Sequence, residues 1–491
     1  MLPKTPLFTI TTNFYTIKLK SILPRTHYYK WLIVVLAVAS AGCLNSSVPR
    51  WSTDTLIESA GNRELSDLLR IEVLDEITQR EPDTNQYKKL GAVSAEVVGS
   101  PMNSPLIRQR VLYIITDCYR DEAAQWLGTA LLSSSEKQLR KEIIGALVKL
   151  GDEKAMPYLI LSLAEPEAEL LKDKTAIIRA VESITEKPIE KVALEYLADG
   201  ENLKTRIAAL ACLLEQNNRS ETITEIKILS ARDDFIEELQ FWAGQFGYVP
   251  TNIMRYYQCR LQRAILTEAQ LEKLRERALL LHQRERYVFD IRDSYLLAAI
   301  NEKMLDIPLA EMSDWIHRRL SELEHTKRPY SYKGAPDDYA EGFIDQCNLL
   351  SYTDLTRIKL LLESLEQEES AGQIKVFLQQ DFCDTTSETG GLIFLEQDEI
   401  VFKKYEPGSR QGDNQYVESA QMVRDGVLCI ARWHCHTDKW RSWELAGPGI
   451  DDLRYADWIN CPVVVLTRLS EKMCNVDYFT PEGVVVDIGD Y

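Results

Sequence analysis

The sequence predicts a multidomain chain in which an all-α helical-repeat region is followed by a C-terminal α+β domain. Three observations predict it. Apolar residues recur at helical spacing from about Thr55 to Leu365. Within that stretch Ile107-Arg108-Gln109-Arg110-Val111-Leu112, Leu139-Arg140-Lys141-Glu142-Ile143-Ile144, Asp173-Lys174-Thr175-Ala176-Ile177-Ile178 and Leu203-Lys204-Thr205-Arg206-Ile207-Ala208 align on Val111, Ile143, Ile177 and Ile207, separated by 32, 34 and 30 positions, close to one helix pair each. After Gly390 the texture changes to short strand-like runs punctuated by turns such as Glu406-Pro407-Gly408 and Pro481-Glu482-Gly483.

At 491 residues the chain exceeds one ordinary core. Its net charge of −18 is spread through the helical segments, which argues against nucleic-acid binding, because phosphate contacts need a basic face. The ten cysteines form no C-x-x-C pair, so neither a zinc ribbon nor a disulfide-rich scaffold is indicated.

Residues 1–43 read as an export signal. Lys18, Lys20, Arg25 and Lys30 precede an apolar run from Trp31 to Ala39, too short for a membrane span, and then Ser40-Ala41-Gly42-Cys43. The last four residues resemble the lipobox of bacterial lipoproteins, with Ser40 where that family has Leu. The resemblance implies lipidation of Cys43 and a membrane-anchored protein on the exported side of the cell envelope, periplasmic or at the cell surface. An uncleaved membrane anchor is the second reading, and it also exports the remainder. Residues 44–54 are a polar tether.

Residues 55–231 begin with helices that cap the repeats, with Leu65, Leu68, Leu69, Ile71 and Leu74 at helical spacing. The repeated units resemble short HEAT-like repeats, which implies an α-solenoid offering an extended surface to a protein partner. The other reading of the pattern is an irregular helical bundle. Residues 232–370 stay helical without the period: one long helix over Leu266–Arg284, two over Ser294–Leu323, a loop at Lys327–Pro336 and a helix over Leu355–Leu365. In residues 371–491 a helix around Gly372–Gln380 leads into strand-like runs at Gly391–Phe394, Glu399–Lys403, Val427–Trp433, Val463–Thr467, Val476–Phe479 and Val484–Ile488, with a helix over Asp452–Ile459.

The chemistry concentrates in this last domain. Two of only six histidines, His434 and His436, end the Val427–Trp433 run one residue apart. In a strand residues i and i+2 face the same side, so both imidazoles can reach one ion, while Cys435 faces away. Asp452, opening a helix after Gly447-Pro448-Gly449, is the candidate third ligand. Two His and one Asp leave the fourth tetrahedral position of Zn²⁺ open, as in catalytic sites.

Ser387-Glu388-Thr389-Gly390-Gly391, His434-Cys435-His436 and Gly449-Ile450-Asp451-Asp452, in that order, resemble the JAMM/MPN (JAB-type) metalloproteases, whose pattern is a Glu near the first strand, H-x-H and S-x-x-D. The resemblance covers about Gln373 to Tyr491. It implies that Glu388 is the general acid/base, that His434, His436 and Asp452 hold Zn²⁺, and that the bond cleaved is a peptide or isopeptide in a protein or peptide substrate. The family's serine is Gly449 here, so the hydroxyl that helps hold the oxyanion is missing, and the usual Pro after the second His is Thr437. The gap between His436 and Gly449 is longer than in the family (449 − 436 = 13 positions), and within it Ser442 or Lys439 is a candidate to substitute for the lost donor. The expected function is thus a tethered zinc peptidase with a helical-repeat interaction arm. The alternative from another class is a non-catalytic HEAT-repeat scaffold or binding lipoprotein with a degenerate JAMM-like domain.

Overall fold

The computed structural model describes residues 48–165, 173–230, 233–326, 342–410, 412, 415–437 and 446–491. The signal segment with Cys43, the first part of the tether, the Lys327–Pro336 loop, and Lys439 and Ser442 lie outside the described residues. The chain divides into two compact units, one ending at Trp126 and one running from Leu127 to Tyr491. Among the described residues no helix is long and apolar enough to cross a membrane.

The first unit is helical. Helices Thr53–Gly61, Asp67–Ile77, Thr84–Gly99 and Pro105–Cys118 each begin after a side chain that accepts a backbone N–H of the first turn, from Ser52, Ser66, Asp83 and Ser104 respectively. Their buried face carries Leu56, Ile57, Val73, Leu74, Ile77, Val98, Ile107 and Val111. Leu68, expected on that face, is exposed, and Arg70 is buried in its place. The guanidinium is accommodated because it donates to the Ala60 carbonyl from Nε and Nη2 (3.0 and 2.8 Å) and to Asn103 Oδ1 (2.9 Å), meeting an orphan carbonyl at a helix end.

The second unit repeats this device in its helical part. Arg140 donates to the Leu131 carbonyl (3.0 Å) and pairs with Asp173 (2.5 Å), and Arg206 donates to the Leu197 carbonyl (2.9 Å) and pairs with Asp233 (2.6 Å). Each arginine joins the end of the preceding helix to the residue that starts a later one, since Asp173 and Asp233 stand at the N-termini of Lys174–Thr185 and Asp234–Phe246. The repeat anchors Ile143, Ile177 and Ile207 are all buried in helices, as is Val111 in the first unit. Further on, the long helix is Glu268–Glu285, closed at its start by a capping box between Thr267 and Gln270. Ser294–Leu323 holds three short helices rather than two, Ser294–Ala299, Glu302–Leu305 and Leu309–Leu320, the last following Pro308.

The C-terminal part is a six-stranded mixed sheet: β1 Gly390–Glu396, β2 Glu399–Tyr405, β3 Ala431–His436, β4 Val463–Arg468, β5 Cys474–Phe479 and β6 Val485–Asp490. The strand order is β2-β1-β3-β4-β5-β6, with β3 and β4 parallel and every other pair antiparallel. Connecting β3 to β4 in parallel requires a crossover, and helix Ile450–Ile459 lies on it. The β3 strand differs from the sequence reading. Gly426–Leu428 is a 3₁₀ turn, so the strand starts at Ala431 and contains both histidines instead of ending before them.

Alternation along β3 sorts its residues. Ala431, Trp433 and Cys435 join the large core, where Trp433 stacks on Phe377 of helix Glu368–Cys383 at 4.7 Å between ring centroids. Arg432, His434 and His436 take the other face, shared with Leu392, Val463, Val465 and Ala456. The paired glycines of β1 follow from close strand packing: a Cβ on Gly391 would stand 2.0 Å from the Lys403 carbonyl oxygen, and one on Gly390 2.9 Å from that of Trp433.

A buried ionic network fixes the start of β3. Arg357, on helix Tyr352–Leu365, donates to the Ile430 carbonyl (2.8 Å) and pairs with Asp293 (2.8 Å), while Asp354 accepts from the Tyr478 hydroxyl (2.8 Å). All of these side chains are fully buried.

At the other end of the sheet His325 Nδ1 lies 2.9 Å from Asp487 Oδ2, and its Nε2 is 2.8 Å from the Leu320 carbonyl. The Asp487 carboxylate raises the imidazole to about 8, against a smaller opposing effect of burial. A raised folded-state pKa stabilises below the unfolded value, about 6.5, and that contribution is lost as pH rises through 8. Urea midpoints between pH 6 and 9 are expected to fall for the wild type and to fall less for His325→Gln. Parallel curves would remove His325 from the pH response.

Candidate metal centre

Strand register brings the first two elements of the site together. Gly390 pairs with His434, and the Cys435 N–H donates to the Thr389 carbonyl (2.9 Å). Continuing that antiparallel count by two residues sets Glu388 opposite His436, and period-2 alternation gives Glu388 the same face as Leu392 and the two histidines. The carboxylate of Glu388 and the imidazoles of His434 and His436 have ligand atoms all within 4.8 Å of one another.

Asp452 arrives from the crossover. It is the third residue of helix Ile450–Ile459, whose N-cap is Gly449, and its Oδ2 accepts the Gly449 N–H at 2.7 Å. This half of a capping box holds the carboxylate over the strand ends. Its Oδ1 lies 3.4 Å from His434 Nε2 and its Oδ2 3.7 Å from His436 Nε2, and the two Nε2 atoms are 3.2 Å apart. A tetrahedral cation bonded to nitrogen and oxygen at about 2.0–2.2 Å requires ligand atoms about 3.3–3.6 Å apart. Of the three separations 3.4 Å lies within that range, while 3.2 and 3.7 Å fall a tenth of an ångström outside it and the two carboxylate distances run to different oxygens. The donor set of two imidazoles and a carboxylate is of the type that suits Zn²⁺.

The electrostatics point the same way. Burial alone would depress His434, yet Asp452, helped by Glu388 and Asp381, raises it to about 9. Burial works against the Asp452 carboxylate too, and the facing imidazoles with the Gly449 N–H hold it far below the usual carboxylate range. Three carboxylates gathered around two imidazoles favour a positive charge between them.

Asp381 was not among the residues expected here. It lies on helix Glu368–Cys383, is buried, and accepts both the Thr389 N–H and the Thr437 hydroxyl (2.6 Å). It therefore ties together the residue after Glu388 and the residue after His436. Burial raises its carboxyl to about 6 against the pull of these hydrogen bonds. The signal was present in the sequence: Ile374, Phe377, Leu378 and Asp381 follow i, i+3, i+4, i+7, which puts a carboxylate on a core-facing stripe. Thr437, where the resembled family has Pro, supplies the hydroxyl for this tie.

Glu388, His434, His436 and Asp452 are thus gathered in one place, with Gly449 beside them. Cys43 lies outside the described residues, as do Lys439 and Ser442. Cys435 is buried on the opposite face of β3, in the core with Trp433. Compared with family models, with curated proteins and with solved structures, the chain matches none.

Gly449 has room for the missing side chain. Its backbone, at φ −79° and ψ 173°, suits any N-cap residue, and among the described residues an added Cβ would meet only Asp452 Oδ2, in van der Waals contact at 3.4 Å. Gly449→Ser is expected to fold with stability changed by only about a few tenths of a kcal/mol, the N-cap difference between Ser and Gly. A loss of more than about 1 kcal/mol in thermal or urea unfolding would show that the turn rejects a side chain.

Proposed function

We propose that the C-terminal domain is a zinc-dependent amide hydrolase of JAMM type, acting on a peptide or protein of the cell envelope, and that the helical repeats form a HEAT-like arm for a protein partner. The observation that carries the proposal is that residues from three separate elements meet at His434 and His436: Glu388 has ligand atoms within 4.8 Å of both imidazoles, and the Asp452 carboxylate stands 3.4 and 3.7 Å from them. Zinc bound by His434, His436 and Asp452 would supply Lewis acidity, lowering the pKa of a water toward about 7 and polarising a carbonyl.

The chain's own residues account for the rest. Gly449 N–H and the helix start orient the Asp452 carboxylate. Asp381 holds the Glu388 and His436 strand ends in register. Glu388, beside both imidazoles and in none of the three coordination roles, takes a proton from the attacking water and delivers it to the leaving amine. Position 449 offers no hydroxyl to the oxyanion, a loss that costs about a hundred- to a thousandfold where one such donor is removed. On this reading turnover is slow, and Gly449→Ser raises it by up to that factor.

Gly449 also favours a second reading, in which the domain binds metal or a partner and does not turn over. Metal content of the purified protein, together with hydrolysis of a peptide library by wild type and Gly449→Ser, separates the two. Zinc bound in both with no cleavage by either leaves the scaffold. For location, the basic segment, the apolar run and Ser40-Ala41-Gly42-Cys43 support a membrane tether at Cys43 on the exported side.

A further inference from the structure

The sheet domain holds a second paired site, formed by thiols. Cys429 and Cys461 are buried and their sulfurs are 3.8 Å apart, although the residues are 32 positions apart in sequence. Cys429 directly follows the 3₁₀ turn that leads into β3, and its Sγ donates to the Gly426 carbonyl (3.1 Å). Cys461 follows Asn460, the residue that caps the C-terminus of helix Ile450–Ile459. There Asn460 is left-handed, at φ 49°, and the Cys461 N–H closes onto the Ala456 carbonyl (3.3 Å).

One helix sets both junctions. On Ile253–Ile265, Gln258 donates to the Ile459 carbonyl (2.7 Å) and Gln262, one turn on, donates to the Val427 carbonyl (2.5 Å). Asn460 returns the contact, donating to Gln258 Oε1 (3.1 Å) and to Asp290 Oδ1 (2.9 Å). Two chain junctions remote in sequence are thereby held in register by hydrogen bonds from outside the sheet, with the sulfurs meeting between them. Of the two thiols Cys461 is the one lowered toward the thiolate needed for exchange, first by its contact with Cys429 and then, against burial, by the buried Arg432 guanidinium, while the same contact and burial raise Cys429.

We propose that Cys429 and Cys461 are a cystine-forming pair, whose closure encircles the segment carrying His434, His436, Gly449 and Asp452. The oxidant is a disulfide, either glutathione disulfide or that of a dithiol oxidoreductase. One cysteine thiolate attacks it to give a mixed disulfide and a free thiol. The second thiolate displaces the remaining half, so that one Sγ–Sγ bond forms, the oxidant's S–S bond breaks, and the two cysteine protons end on the two released thiols. Burial directs the reaction to folding or to a transient opening. The bond would join the entry to the histidine strand to the exit of the Asp452 helix, so the elements bearing the three ligands could not separate even when the site is empty of substrate. The pair rests on its own geometry and does not depend on a metal being bound.

The test is refolding of the full chain from urea in a glutathione redox buffer, followed by non-reducing peptide mapping. The expected product joins the peptides containing Cys429 and Cys461, and the oxidised protein unfolds several degrees above the reduced protein, as closure of a loop of this length predicts. Cys429→Ala and Cys461→Ala should each abolish the difference between oxidised and reduced samples. Free thiols at both positions after oxidative refolding, or pairing of either with another cysteine, would overturn the proposal. So would an equal shift in wild type and variants. Mapping of the wild type alone decides the matter should either variant fail to fold.

Discussion

Glu388→Gln is expected to leave zinc content unchanged and to lower amide hydrolysis by about a hundred- to ten-thousandfold, the usual worth of general acid–base assistance. The substitution keeps the size of the side chain and an acceptor oxygen but removes the basic carboxylate. Metal retention is expected if His434, His436 and Asp452, whose facing atoms lie 3.2 to 3.7 Å apart, are the three ligands proposed above and Glu388 is not one of them. Glu388 stands within 4.8 Å of the imidazoles, near enough to act on a water in the open position. Zinc content and single-substrate rates measured on the same preparations check this. Loss of zinc together with rate would make Glu388 a ligand.

Arg357→Met is expected to cost about 3–5 kcal/mol of unfolding free energy, the range for stripping one partner from a buried ionic group. The guanidinium pairs with Asp293, lies 3.5 Å from Asp354 and caps the Ile430 carbonyl, all in the interior. Methionine fills much of the volume but leaves Asp293 without its closest countercharge and the Ile430 carbonyl without its donor. Arg292, also against Asp354 at 3.6 Å, softens the loss without reaching the carbonyl. Urea unfolding monitored by tryptophan fluorescence reads the effect. Because Ile430 immediately precedes β3, zinc affinity should fall as well. A loss below about 1 kcal/mol would mean that the pair contributes little net stability.

That Glu388, His434, His436 and Asp452 would lie together was legible because short local patterns place them. H-x-H fixes two side chains on one face of any strand, and Gly449-Ile450-Asp451-Asp452 after a turn opens a helix with a carboxylate in its first turn. The division into a helical region and a terminal α+β domain was equally plain from periodicity. What the sequence concealed depends on distant partners. The Val427–Trp433 run reads as one strand from its apolar residues, but Gly426 and the hydrogen bond from Gln262 turn its first half into 3₁₀. Leu68 matches the helical stripe and is exposed, because Arg70 finds Ala60 and Asn103 and takes the inner position. The arginine-to-acid ties at spacings of 33 and 27, and the meeting of Cys429 with Cys461, have no local signature at all.

A metal held by His434, His436 and Asp452 underlies the proposed chemistry, and zinc stoichiometry tests it most directly. Wild type, His434→Ala and Asp452→Ala would be stripped with chelator, reloaded with Zn²⁺, passed through a desalting column and assayed for zinc per chain by elemental analysis, with circular dichroism confirming that each is folded. The predicted result is close to one zinc per wild-type chain and little in either variant, because two remaining protein ligands rarely hold Zn²⁺ in such a site. Folded wild type that retains no zinc, or variants that retain as much as wild type, would contradict the metal centre.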